Sequence, residues 1–283
     1  MIPINYIGSY KYKVIETPST YEVWEYIDDP VYYHVNNDDN KTKSDMDWIQ
    51  NLDIRETFDE MKATKQYDSL KRKQRHYENM RWEIARLVDC NFDRSTKFMT
   101  LTFKENEQDI SYTNIEFNKF IKRLNYHLYK TKTQQLKYLA VWEKQKRGAI
   151  HYHIIFFALP FIKIKILQEI WGYGFVKLNK IDVDSQENRG RYVSKYFSKD
   201  LELKEHKKKA FFKSQNLKMP IIRRTNSLQP IDLSNKKIIY SKDYTRSVPD
   251  YQSQNTSFKN STVRYTKFRK EFTHDYSHET RID

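Results

Sequence analysis

Residues 136–159 read LKYLAVWEKQKRGAIHYHIIFFAL, two apolar segments separated by a short polar one. Each apolar segment is rich in β-branched and aromatic residues, and the polar KQKRG between them has the length and the glycine of a turn. The pattern predicts two antiparallel strands, over 136–143 and 149–159, that lie inside a sheet.

The neighbouring sequence extends this hairpin into a larger domain. Alternating or helical spacing of apolar residues predicts further elements on both sides. They are one or two packing helices over 55–89, strands over 97–103 and 174–183, and helices over 113–129, 161–172 and 185–202. From residue 97 onward the order is strand, helix, strand, strand, helix, strand, helix. This order predicts an α+β fold with an antiparallel sheet backed by helices.

Charge divides the chain unevenly. Residues 1–90 hold 13 Lys and Arg against 17 Asp and Glu, whereas residues 91–283 hold 38 against 20. We expect an acidic, aromatic and helical extension over 1–90, a core over 91–224, and a polar basic extension over 225–283. The last segment has no sustained period and is expected to be loosely ordered or an accessory element.

Composition restricts the class of protein. The net charge of +14 predicts a polyanionic partner, most simply nucleic acid, although a solvated basic surface with no specific partner is the alternative. No GxxxxGK[ST] stretch is present, which argues against an ATP-driven motor. A single cysteine, Cys90, excludes a disulfide framework, and the lack of a long apolar run or a signal-peptide pattern predicts no membrane association and a cytoplasmic setting.

Two histidines and a carboxylate form a candidate metal site. His151 and His153 project from one face of their strand, and Tyr152 projects from the other. Glu143 ends the preceding strand and is expected across from the pair. Two imidazoles and a carboxylate suit Mg²⁺ or Mn²⁺ in a phosphoryl reaction, and zinc also fits. Histidines satisfied within the sheet and a surface glutamate are the alternatives.

The segment RYVSKYFSKD, residues 191–200, carries a candidate nucleophile. On a helix, one face would hold Tyr192, Lys195, Tyr196 and Lys199. A phenol has an ordinary pKa of about 10, so a tyrosine nucleophile needs nearby positive charge or a base, and the lysines could supply that charge. Amphipathic packing, with lysines that reach solvent, is the alternative.

Three motifs in this order resemble the rolling-circle replication initiators of the HUH endonuclease superfamily, the plasmid or phage type with two tyrosines. The motifs are FMTLTF (98–103), WEKQKRGAIHYH (142–153) and YVSKYFSK (192–199), and FFKSQNLKMP (211–220) resembles a segment that follows them in such initiators. The resemblance covers about residues 97–220. It implies an HUH-like central antiparallel sheet backed by helices, with N- and C-terminal extensions.

The resemblance also implies roles for individual residues. His151 and His153 match the metal-binding pair, Glu143 matches the acidic position before it, and Lys195 matches the lysine of the Tyr-x-x-Lys motif. Tyr192 and Tyr196 match the nucleophiles, and which of the two cuts first is left open. Lys199, Arg191 and Arg147 are expected to contact DNA.

The implied protein is a metal-dependent single-strand DNA endonuclease with nickase and ligase activity. A tyrosine forms a 5′-phosphotyrosine link at the origin, releases a free 3′-OH, and the strand is later rejoined. The expected partners are single-stranded or supercoiled origin DNA and a host helicase supplied in trans, in the cytoplasm of a bacterial cell, and a homo-oligomeric state is left open. A non-catalytic DNA-binding replication or copy-control factor on the same fold is the alternative.

Overall fold

The structure is a computed structural model that describes residues 8–33, 63–181, 211–229, 231–250 and 257–270. These ranges form an α+β protein. Its helices are α1 (Ala63–Asn91), α2 (Ile110–Tyr129) and α3 (Ile164–Trp171). Its strands are β1 (Gly8–Tyr10), β2 (Tyr12–Glu16), β3 (Thr20–Tyr26), β4 (Val31–Tyr33), β5 (Lys97–Thr102), β6 (Lys137–Lys144), β7 (Ile150–Phe157), β8 (Val176–Lys180), β9 (Phe211–Lys213), β10 (Ile221–Thr225), β11 (Ile238–Pro249) and β12 (Phe258–Arg269).

The contacts divide the chain into two compact units. The core unit is Asp68–Met219, and the terminal unit combines Met1–Tyr67 with Pro220–Asp283. This grouping differs from the three consecutive segments suggested by composition, because β2 and β3 from the N-terminal part pair with β10 and β12 from the C-terminal part. No helix in the described ranges is long and apolar enough to cross a membrane.

The core unit contains a five-stranded sheet in the order β8-β5-β7-β6-β9, antiparallel at every pairing. The predicted hairpin is present as β6 and β7, and the other strands and helices predicted between residues 97 and 183 are also found. The helix predicted over 55–89 is a single helix, α1. The helix predicted over 185–202 lies outside the described residues.

Strand β7 is the middle strand of this sheet and is buried on both faces. One face packs against α2 and α3 through Phe117, Phe120 and Trp171, all fully buried. The other face packs against α1, whose Ile84, Leu87 and Val88 lie in one cluster with Ile155 and Phe157. A strand covered on both faces has no solvent side to keep polar, which explains the continuous IIFF run. The expectation that α1 is a packing helix is therefore confirmed.

Local signals set the ends of the helices on the other face. Asp109 caps α2, since its carboxylate accepts hydrogen bonds from the backbone N–H groups of Ser111 at 2.7 Å and Tyr112 at 3.3 Å. The helix consequently begins at residue 110, one turn before the expected position. Helix α3 ends where Gly172 adopts a left-handed conformation with φ of 76°, which glycine reaches without steric cost.

Buried Asn125 organises the connection from α2 to β6. Its side-chain N–H₂ donates to the carbonyls of Thr131 and Thr133, both at 2.9 Å. Its side-chain oxygen accepts from the backbone N–H groups of Gln135 at 2.8 Å and Leu136 at 2.9 Å. One side chain thus satisfies four backbone groups that the loop leaves without partners.

The terminal unit contains a second five-stranded sheet, in the order β10-β2-β3-β12-β11, and a two-stranded pairing of β1 with β4. The expectation that residues after 225 are loosely ordered is wrong for β11 and β12, which pair along twelve-residue strands. Strand β11 is exposed over most of its length, so its sequence lacks the apolar alternation by which a half-buried strand is recognised.

We expect Asn125→Leu to lower the free energy of unfolding by about 3 kcal/mol, because buried backbone groups lose partners that water cannot replace. Urea denaturation measures the change. Lys122→Ala, on the exposed side of the same helix, is the matched control and should change stability by less than about 0.5 kcal/mol. Equal effects of the two substitutions would contradict this role for Asn125.

Candidate metal and nuclease site

The register of the sheet brings the predicted metal ligands together. Glu143 on β6 lies directly opposite His151 on β7, and Thr102 on β5 flanks His151 from the other side. His153 lies two residues further along β7, opposite Thr100 on β5. Opposed residues of antiparallel strands share a face, so all of these side chains project from one side of the sheet, which we call the His face.

The imidazole of His153 is held by three neighbours. Its Nε2 lies 2.5 Å from Glu143 Oε2, and its Nδ1 lies 3.3 Å from the Thr100 hydroxyl. The ring stacks on Phe98 with a centroid separation of 5.6 Å and an interplanar angle of 19°. Because a carboxylate only accepts, Nε2 carries the hydrogen in the contact with Glu143, and Nδ1 of the neutral ring accepts from Thr100. The orientation of His153 is therefore determined on every side.

His151 is more deeply buried, with 7% of its surface exposed. Its Nε2 is buried and has no hydrogen-bond partner. Burial lowers the pKa of His151 below its ordinary value, and the neighbouring His153 lowers it further. His151 is therefore neutral at physiological pH, the form in which an imidazole nitrogen can bind a cation.

Tyr152, between the two histidines, points to the opposite side of the sheet. Its hydroxyl donates to Asn114 Oδ1 at 2.7 Å, and its ring stacks on Phe117 at 4.5 Å with an interplanar angle of 5°. Burial raises the pKa of this phenol, so Tyr152 is a fixed core residue and not a nucleophile. Its packing prevents β7 from rotating and keeps both histidines on the His face.

The turn from β6 to β7 places a cation at the same end of the sheet. Gly148 has φ of 91°, and a Cβ there would meet the Gln108 side chain at 2.9 Å. The exposed side chain of Arg147 donates from one terminal nitrogen to the carbonyl of Phe103 at 3.0 Å and from Nε to Gln145 at 3.0 Å. This positive charge also lowers the pKa of His151.

The donor chemistry of the His face fits a divalent cation. Glu143 and His153 are partly exposed, with 30% and 19% of their side chains accessible. Within the described ranges, no three or more His, Cys, Asp or Glu side chains are already arranged as a coordination group. Instead, a hydrogen links His153 to Glu143, while the Nε2 of His151 is without a partner. Two imidazole nitrogens and a carboxylate oxygen are ligands that Mn²⁺, Mg²⁺ and Zn²⁺ accept.

The remaining site residues predicted from sequence lie outside the described residues. They are Tyr192, Lys195, Tyr196, Lys199 and Arg191. The structure thus places Glu143, His151, His153 and Arg147 at one end of the sheet, and the roles of the two tyrosines stay predictions.

Sequence reasoning overlooked three residues that shape the site. Thr100 and Phe98 hold His153, and their spacing in FMTLTF, opposite in parity to Met99 and Leu101, was the available signal. Gly174 crosses β5 so closely that a Cβ would meet the Thr102 carbonyl oxygen at 2.5 Å. That close approach depends on tertiary packing and leaves no pattern in the sequence.

Comparison with known families agrees with this placement. Residues 96–201 match a family of replication-associated proteins, described by its ORF2 members, and the matched segment contains all nine predicted site residues. The match supports a role in replication initiation, which confirms at that level the resemblance noted from sequence. The HUH type, the metal and the tyrosine chemistry stay predictions.

A curated relative supports the same conclusion. The chain is 27% identical over 146 residues to the Phasyl DNA replicon protein arp of Escherichia coli, an alignment that covers 43% of this chain and 49% of the relative. The chain therefore spans about half the length of the curated relative it matches. No solved structure matches this chain.

We expect the imidazole of His151 to titrate below pH 6.5 in the presence of a chelator, because burial disfavours its protonated form. The unfolded chain then binds the proton more readily than the folded chain, so stability falls as the pH drops below about 6.5. Proton NMR measures the midpoint, with the signal assigned through its loss in His151→Gln. A midpoint at or above the ordinary histidine value would contradict the burial of this ring.

Proposed function

We propose that this protein is a rolling-circle replication initiator of the HUH type, which nicks one DNA strand through a tyrosine and later rejoins it. The observation that carries the proposal is the His face, where Glu143, His151 and His153 are neighbours on adjacent strands. They lie within the segment that matches replication-associated proteins. A purely structural histidine pair would not require a carboxylate at this position.

Glu143, His151 and His153 would hold the divalent ion, Mg²⁺ or Mn²⁺. When bound, such an ion supplies positive charge that polarises the scissile phosphate. Thr100 occupies the Nδ1 side of His153 and leaves Nε2 as the ligand atom, the kind of outer contact that orients metal-binding histidines. The unpartnered Nε2 of His151 would be the second nitrogen ligand, and its lowered pKa keeps it available at neutral pH.

Tyr192 or Tyr196 would be the nucleophile. Its phenol gives up a proton to water or a base, and the phenolate oxygen forms a bond to phosphorus at the 5′ side of the break. The bond from phosphorus to the 3′-oxygen breaks, and that oxygen takes up a proton and leaves as a free 3′-OH. Lys195 and Lys199 would stabilise the phenolate and the phosphate, and the reverse transfer rejoins the strand without ATP.

The DNA would lie along the basic surface of the core unit. Arg147, beside the histidines, and Arg191 would contact the phosphate backbone of single-stranded or supercoiled origin DNA. A helicase supplied by the host would unwind the template, because no nucleotide-binding motif is present in the chain.

The direct test is a nicking assay with Mg²⁺ or Mn²⁺ and origin DNA from the replicon that encodes this protein. We expect a nicked strand with the protein attached at its 5′ end, and mass spectrometry of the attached peptide should identify Tyr192 or Tyr196. The double substitution Tyr192→Phe, Tyr196→Phe should reduce nicking to the level without protein, because no phenolate remains. Tyr126→Phe, at an exposed position on α2, is the control and should nick normally. Normal nicking by the double variant would disprove the assignment.

Metal binding is tested separately from activity. By calorimetry, we expect Mn²⁺ affinity to fall below detection in His151→Ala and by about tenfold in Thr100→Val, which leaves the ligands intact but frees the His153 ring. His127→Ala, an exposed histidine on α2, should bind Mn²⁺ as the unmodified protein does. Unchanged affinity in His151→Ala would show that the His face is not the metal site.

The same assays decide between an enzyme and the alternative, a non-catalytic DNA-binding replication factor. The direct bond between His153 and Glu143 favours that alternative, since the two side chains satisfy each other without an ion. Such a protein would bind origin DNA equally with and without metal and would yield no covalent product.

A further inference from the structure

The sheet of the terminal unit has two faces of opposite charge. By register, one face carries seven cations and one carboxylate from its strands: Lys13, Arg224, Lys242, Arg246, Lys259, Lys267 and Arg269, with Glu22. The other face carries two cations and three carboxylates: Arg223 and Arg264, with Glu16, Glu25 and Asp243. The formal charge is +6 on the first face, which we call the cationic face, and −1 on the second.

Ion pairs neutralise both cations of the second face. Arg264 donates two hydrogen bonds to Asp243, both at 2.9 Å. Arg223 lies 2.6 Å from Glu16. A polyanion therefore finds no uncompensated positive charge among the strand residues of this face.

Ion pairs on the cationic face leave most of its charge in place. Its one strand carboxylate, Glu22, is buried and lies 3.6 Å from Lys267. Lys259 lies 2.9 Å from Asp29, which follows β3. With Asp29 included, seven cations face two carboxylates, and the formal charge is still +5. A polyanion is the natural ligand of such a surface.

Aromatic rings alternate with these charges. One row of opposed residues crosses all five strands of the cationic face, in the order Arg224, Lys13, Trp24, Tyr265 and Lys242. The rings of Trp24 and Tyr265 are 4.9 Å apart, and the ammonium of Lys13 lies 5.1 Å from the Trp24 ring.

The next row extends the aromatic surface. Tyr240 lies opposite Lys267, its ring is 6.0 Å from that of Tyr265, and half of its surface is exposed. Tyr244, further along β11 on the same face, is 41% exposed. Aromatic rings therefore continue from β3 across β12 to β11, with lysines on both sides.

We infer that the cationic face of the terminal unit is a second nucleic-acid site, which binds single-stranded DNA independently of the His face. Exposed rings interleaved with lysine and arginine match a single strand, because unpaired bases stack on the rings while the cations hold the phosphates. Duplex DNA already stacks its bases internally and can use only the cations. The choice of DNA over RNA rests on the proposed function.

Strand dimensions set the size of this site. Five strands about 4.8 Å apart span roughly 20 Å across the sheet, enough for a few nucleotides with bases over the aromatic rows. A strand held here would be retained when the chemistry at the His face is complete, because its contacts do not depend on the metal or on the tyrosines.

The test uses the full chain and a fluorescein-labelled oligothymidylate of about 12 nucleotides, with EDTA present so that no cleavage occurs. Fluorescence anisotropy should show the Kd rise about tenfold in Tyr240→Ala, the loss expected for one stacked base. Phe258→Ala removes an equally accessible ring, 66% exposed, from the other face of the same hairpin. It should leave the Kd within about twofold of the unmodified value.

Charge is tested by a second matched pair. Lys242→Gln and Arg264→Gln each remove one positive charge from an exposed position, on the cationic face and on the other face respectively. Only Lys242→Gln should reduce the affinity and the salt dependence of binding. Tyr240→Phe, which keeps the ring, should bind as the unmodified protein does, and this result separates loss of stacking from loss of folding.

Several outcomes would overturn the inference. Equal effects of Tyr240→Ala and Phe258→Ala would remove the site from the cationic face. Displacement by duplex DNA at equal phosphate concentration would show a backbone site without stacking, and tighter binding of oligouridylate would show an RNA site. A protein that nicks normally but shows no difference between the paired variants refutes this inference alone, whereas one that shows the difference but never nicks refutes the proposed initiator activity alone.

Discussion

The antiparallel pairing of β7 with β5 and β6 is the constraint on which the rest of the core unit depends. Side chains of a strand alternate between the two faces, so a slip of one residue would exchange His151 and His153 with Ile150, Tyr152 and Ile154. The imidazoles would then enter the cluster around Phe117, and the apolar residues would lie on the His face. Register, packing and site geometry are thus one property of this strand.

The core protects this register from both sides. Tyr152 is anchored by stacking on Phe117 and by its hydrogen bond to Asn114, while Ile155 and Phe157 are held against α1 on the other face. Burial of such side chains contributes roughly 1.5–3 kcal/mol each, so together they outweigh the cost of one unsatisfied imidazole nitrogen. The strand can therefore keep His151 buried with its Nε2 unpartnered, a condition that a metal ligand would relieve.

The two sheets solve different physical problems. The sheet of the core unit is covered by helices on both faces, and its polar residues are concentrated at one end. The sheet of the terminal unit has few large buried residues, among them Val14, Ile15 and Val23. Its order depends more on long ladders, ion pairs and cross-strand aromatic contacts, and these interactions leave charged and aromatic groups exposed for recognition.

Several features could be predicted from the sequence because they depend on neighbours along the chain. Alternation and turn residues were sufficient for the β6–β7 hairpin, the spacing of Ile and Phe for α2, and the three motifs in order for the resemblance to replication initiators. The start of α2 was missed by one turn because the capping bond of Asp109 was not considered. The roles of Tyr192 and Tyr196 rest on sequence alone.

Other features were decided only by the tertiary structure, because they join residues that are far apart in the chain. The pairing of β3 with β12 unites residues more than 200 positions apart, and nothing in the polar sequence after residue 225 indicates that partner. Likewise, the contact of Thr100 with His153 and the crossing of Gly174 over Thr102 arise from packing. The sequence determined which side chains share a strand face, and the folded sheet determined which of those faces meet.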